Sequence, residues 1–108
     1  MLTEQLPVPR PIVVGLLRTA VAVAQPRRQA LADVLDSFCV RRELHLSNVI
    51  TDDGTEPDAL LIGIAEQRDL YAVVLPTIAH LGDQAAAERR RQYLEEFGIR
   101  LLTTRSQQ

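Results

Sequence analysis

Two runs of this chain leave almost no polar face for water: IVVGLL, Ile12 to Leu17, and LYAVVLP, Leu70 to Pro76. Both are apolar at nearly every position and carry β-branched residues. A strand of that kind must be covered on both sides, which is the situation of inner strands in a parallel sheet flanked by helices.

The segments between them read as helices. Gln25-Pro26 opens the first, with Pro26 in the first turn, where its missing N–H costs nothing. Ala30, Leu31, Val34, Leu35, Phe38 and Cys39 then recur at helical spacing and predict one apolar stripe. ELHLSNVIT, Glu43 to Thr51, alternates at Leu44 and Leu46 before Val49-Ile50, as an exposed edge strand would. TDDGTEP reads as a turn and a helix entry, with Thr55 and Asp58 at capping-box spacing. Ala59, Leu60, Ile62, Gly63 and Ile64 predict a largely buried second helix. Asp83 is a good N-cap for a third helix ending near Gly98, with Ala86, Ala87, Tyr93, Leu94 and Phe97 facing inward. IRLLTT, Ile99 to Thr104, is the last strand. The order βαβαβαβ, with helices of about 12 to 15 residues, implies an open, mostly parallel four-stranded sheet with helices on both faces, a three-layer α/β/α domain over residues 12–104. Residues 1–11, with three prolines, read as a loose arm, and 105–108 as a polar tail.

Composition narrows the function. The chain has 108 residues, enough for one domain with its own core, and a net charge of −2. That balance argues against strong nucleic-acid binding, which needs clustered positive charge. All twelve basic residues are arginine. The single Cys39 rules out an internal disulfide and reads as a buried structural thiol. No apolar run approaches the roughly 20 residues of a membrane span, and MLTEQLPVPRP lacks the features of a signal peptide, so a cytoplasmic location is expected. No metal and no cofactor is expected.

In an open parallel sheet, chemistry collects at the carboxyl ends of the strands. Arg18, Thr19 and Ala20 fall there after the first strand, and Thr51, Asp52, Asp53 and Gly54 after the second. Thr77, His80 and Asp83 follow the third, and Thr103 and Thr104 the fourth. Asp52-Asp53 has the chemistry to hold Mg²⁺, but Asp-Asp-Gly is also an ordinary turn, the preferred reading. His80 could serve as an acid or base, yet no carboxylate but Asp83 is near in sequence, and a solvated loop histidine is preferred. Thr19 has no activating base in sequence reach. GLLRTAVAVAQP is no glycine-rich phosphate loop. Arg89, Arg90 and Arg91 in ERRRQ spread over about 200° of a helix, so a solvated, salt-bridged face is favoured over a nucleic-acid patch.

VVGLLRTAV, RRQALADVLDSF, NVITDDG, LYAVVLPTIAHLGD and LEEFGIRLLT together resemble the catalytic domain of serine recombinases, the resolvase/invertase group. That family's first strand typically reads G-Y-x-R-V-S, followed by a Q…AL helix and a strand ending in T/D-D-x-G. A strand leading into K-L-D-R-L-G-R comes next, and later a helix ending in G-V. The resemblance covers about residues 12–104 and implies the same fold. On it, the family's first arginine matches Arg18, and the nucleophilic serine falls on Ala20, with Thr19 one position off. The family's Asp and Arg fall on Ala79 and His80, Leu81 and Gly82 are kept, and the next arginine falls on Asp83. A further arginine after the second strand has no counterpart. The sequence also ends near Arg105, before the dimerisation helix and DNA-binding domain of family members. Serine attack on a phosphate needs the nucleophile and several guanidiniums, so recombinase activity is not expected.

Three functions remain. The first is a non-catalytic resolvase-like domain, a regulatory or scaffold protein that acts by contacting another protein, with a homodimer preferred over a monomer. Its candidate surfaces are the altered loops Arg18–Ala22, Asp52–Asp58 and Thr77–Asp83, and an apolar strip for self-association. The second is a DNA-associated accessory factor using Arg18 and Arg89–Arg91. The third is a small-ligand or metal-dependent enzyme using Thr51, Asp52, Thr77 and His80.

Overall fold

The two apolar runs form neighbouring inner strands, and both faces of each are covered. In a computed structural model, which describes residues 10–18, 25–52, 57–67 and 69–104, the elements are β1 (Ile12–Arg18), α1 (Gln25–Arg41), β2 (His45–Asp52), α2 (Pro57–Ala65) and β3 (Leu70–Leu75). A 3₁₀ turn (Ile78–Leu81), α3 (Gln84–Glu96) and β4 (Arg100–Thr103) complete them. The four strands form one sheet in the order β2-β1-β3-β4, parallel throughout. The expected α/β architecture is present, with β2 at an edge as its alternation predicts.

Strand periodicity divides the core into two layers. Val13, Leu17, Ala72 and Val74 face α1, where Leu35, Phe38 and Cys39 meet them, joined by Leu44 from the loop after the helix. Val14, Leu16, Val73 and Leu75 face the other way, against Leu61 and Ile64 of α2, Leu81, and Ala87 and Leu94 of α3. Cys39 is buried as expected, and burial followed by the charge of Asp36 pushes its thiol pKa up. Ser47 interrupts the β1–β2 ladder: Val13 pairs with Leu46 but Val14 with Asn48, so one residue of β2 bulges, and its hydroxyl donates to the Val13 carbonyl at 3.3 Å.

Asp83 caps α3 as its position predicts, its carboxylate accepting from the Ala86 N–H at 2.9 Å. Gly98 follows the helix. Four expectations need correction. α1 and α2 are 17 and 9 residues long, outside the expected range. Ala30 and Val34 of α1 are exposed, because the side of the helix that packs on the sheet carries Leu31, Leu35, Phe38 and Cys39. α2 is only half-buried: Leu61, Ile64 and Ala65 face the sheet, while Ala59, Ile62 and Gly63 face solvent. At the end of α3, Phe97 is likewise exposed. Thr55 of the expected capping box lies outside the described residues.

Gly15 sets how closely α1 approaches the sheet. A Cβ there would lie 2.8 Å from Leu35 Cδ1 and 3.3 Å from Val49 Cγ2. Leu35 is fully buried, so it has nowhere to retreat. Gly15→Ala is therefore expected to lower stability by about 1–3 kcal/mol through overpacking. Urea denaturation of the variant against the wild type measures this, and an unchanged midpoint would contradict the close approach.

Candidate functional site

At the carboxyl edge of the sheet the chain turns polar residues inward. Parallel register places Arg18, the last residue of β1, beside Asp52, the last residue of β2. After β3, the 3₁₀ turn folds back over the end of β1. This places His80 within reach of the β1 backbone, and the Arg18 N–H donates to His80 Nδ1 at 2.9 Å. Nδ1 must therefore carry a lone pair, which leaves the ring proton on Nε2.

Asp52, His80 and Arg90 are the buried polar residues among those described, at 6%, 2% and 9% exposure. They share a cavity of about 10 Å³ with Leu16, Leu60, Leu61 and Leu81, a space on the scale of one water molecule. Arg90 spans the site. Its Nε donates to Asp58 Oδ1 at 3.0 Å and its Nη1 to the Leu81 carbonyl at 2.6 Å. Gly82, at φ 134°, completes the turn in a conformation that side chains rarely adopt. A Cβ on Gly82 would lie 2.6 Å from Arg90 Nη1 and 3.4 Å from Arg18 Nη1, so two guanidiniums close around this glycine.

Several expected positions change character. His80 is not a solvated loop residue, because the turn that carries it packs onto the end of β1. Asp52 is a buried strand residue rather than part of a turn. Strand alternation sends the exposed Thr51 to the opposite face, so the expected set of Thr51, Asp52, Thr77 and His80 is only half assembled. Thr77 precedes the 3₁₀ turn and makes no side-chain cap bond to it. Ala79 is exposed. Thr19, Ala20 and Asp53 lie outside the described residues. Of the arginine run, Arg91 sits between Glu88 and Glu95 in the predicted ion pairs, and the first of these draws the Glu88 carboxyl below its usual pKa. Arg89 is exposed. Arg90, expected on the solvated face, is the exception. Its spacing of three from Ala87 and four to Leu94 places it on the inward stripe, a signal that charge alone obscured.

Among the described residues, no three His, Cys, Asp or Glu side chains gather into a metal site, and no helix is long and apolar enough to cross a membrane. The architecture is that of an open parallel α/β domain with its polar cluster at the carboxyl edge. Among solved structures it is similar to the C-terminal catalytic domain of ISC1926 TnpA, an IS607-like serine recombinase, with a TM-score of 0.74 and 10% sequence identity over 90% of this chain and 69% of that one. The fold is thus that of a serine recombinase catalytic domain. No family model matches the sequence, and no curated protein does.

Burial, and then the charge of Arg27, lowers the pKa of His80 from its ordinary 6.5. The unfolded chain takes up a proton near that value while the folded chain excludes it. The contribution of neutral His80 to stability is therefore complete above pH 6.5 and declines as pH falls from there toward its folded value. His80→Asn keeps an acceptor near Nδ1 but cannot titrate, so its stability should fall less than that of the wild type between about pH 7.5 and about pH 5. His80→Leu leaves the Arg18 N–H without a partner and is expected to cost about 1–3 kcal/mol at neutral pH. Equal pH slopes for wild type and His80→Asn would remove this role.

Proposed function

We infer that this chain is a non-catalytic resolvase-like domain, a regulatory or scaffold protein that works through contacts with other proteins. The observation that carries this reading is that the polar groups at the recombinase-like edge are engaged in holding the fold together. His80 takes the place where the family carries a phosphate-facing arginine, and its ring accepts a backbone N–H of β1. Asp83 takes the place of another and caps α3. Arg90 is bonded to Asp58 and to the Leu81 carbonyl. Ala20 supplies no hydroxyl for attack on phosphorus.

This reading is favoured over a DNA-associated accessory factor because Arg90 is buried and Arg91 is neutralised by two glutamates, leaving only Arg89 of the run exposed without such pairing. It is favoured over a small-ligand enzyme because Asp52 and His80 are buried, and the space they line together with Arg90 and four leucines is only about 10 Å³.

Incubation with supercoiled plasmid is expected to give neither nicked DNA nor a protein–DNA adduct stable to denaturation. Ala20→Ser should behave in the same way, because His80 and Asp83 still stand where guanidiniums are needed. Nicking or adduct formation by the unaltered chain would overturn the reading.

A further inference from the structure

Beside the carboxyl-edge cluster, with which it shares Asp58 and Arg90, a groove of about 210 Å³ opens between α2 and α3, lined by Asp58, Leu61, Ile62, Arg89, Arg90 and Tyr93. Large apolar side chains stand in water around it: Ile62 is 47% and Phe97 54% exposed. The Phe97 ring lies tilted against Tyr93, 5.1 Å between centroids. Arg89 and Glu96 flank this patch on α3, two helical turns apart and on one face, with Tyr93 between them. Their neighbours Glu88, Arg90, Arg91 and Glu95 are all paired. Among the described residues, Arg89 and Glu96 make no side-chain hydrogen bond or ion pair.

We propose that this α2–α3 face is the interface between two copies of the chain, packed across a twofold axis at Tyr93 with their α3 helices antiparallel. The charge pattern selects this occupant. In an antiparallel pair, Arg89 of each copy meets Glu96 of the other, so both unpaired charges are matched twice by one symmetry operation. The same arrangement carries the exposed Phe97 of each copy toward the end of the groove lined by Ile62 and Arg89. A groove of this volume is roomy enough for one phenyl ring, and the Arg89 guanidinium can lie over it. The patch then has an apolar centre and a charged rim, the usual anatomy of such contacts. A nucleic-acid backbone fits it poorly, since Asp58 and Glu96 would face the phosphates. The proposal gives a partner to the contact domain inferred above and rests on that reading.

Sedimentation equilibrium of the full chain tests it, with circular dichroism to verify that each variant is folded. The wild type is expected to show a concentration-dependent monomer–dimer equilibrium. Arg89→Glu and Glu96→Arg, both at exposed positions, should each weaken association about tenfold, because symmetry turns one reversal into two like-charged contacts. Both reversals on one chain restore the pairing and should return the wild-type constant. A chain that stays monomeric at every concentration overturns the interface. So does a dimer indifferent to either reversal, or one not restored by the double variant. The plasmid assay keeps the two readings apart: a monomer that leaves DNA intact removes this interface alone, whereas nicking removes the non-catalytic reading whatever the oligomeric state.

Discussion

β1 and β3 lie side by side with no polar face on either, and everything else in the molecule answers to that constraint. Two such strands cannot sit at the surface, so helices must cover both faces, and the parallel direction of the chain supplies them through its crossovers. α1 covers one face alone and α2 and α3 share the other. The shared face has a seam, and the seam is the α2–α3 groove. The single-helix face requires close approach, which Gly15 permits beneath Leu35.

With both faces apolar, polar groups that enter the interior must do so at the ends of the strands. At the carboxyl edge, Asp52, His80 and Arg90 do this, each beside leucine side chains. The hydrogen bond from the Arg18 N–H to His80 joins the end of β1 to the turn after β3. Arg90 joins that same turn to α2 through Asp58. The end of β1, the turn after β3 and the start of α2 are thereby joined to one another.

Much of the fold was legible because its signals are local. The unbroken apolar runs gave β1 and β3, alternation gave the edge strand β2, and Asp83 marked the start of α3. The site was less legible because its geometry is made by contacts distant in sequence. The residues joined by the His80 bond are 62 positions apart, and no local pattern distinguishes a loop histidine in water from one folded over a strand end. Arg90 was hidden for another reason: an arginine on the inward stripe reads as a break in the stripe until Asp58 and the Leu81 carbonyl are seen to receive it. The exposure of Val34, Ile62 and Phe97 was missed because hydrophobic spacing indicates an apolar face without telling how wide a neighbour covers it.

The bulge at Ser47 bears on how the sheet ends. An eight-residue edge strand with free backbone groups is a template on which another chain can add a strand and start an aggregate. The extra residue in β2 breaks the regular spacing of the outward-facing donors and acceptors, and the opposite edge, β4, is only four residues long. Both margins of the sheet are thus poor templates for further strands, one through irregularity and the other through brevity. Among the described residues the sheet has four strands, and its margins leave the helical surfaces as the better ground for meeting other molecules.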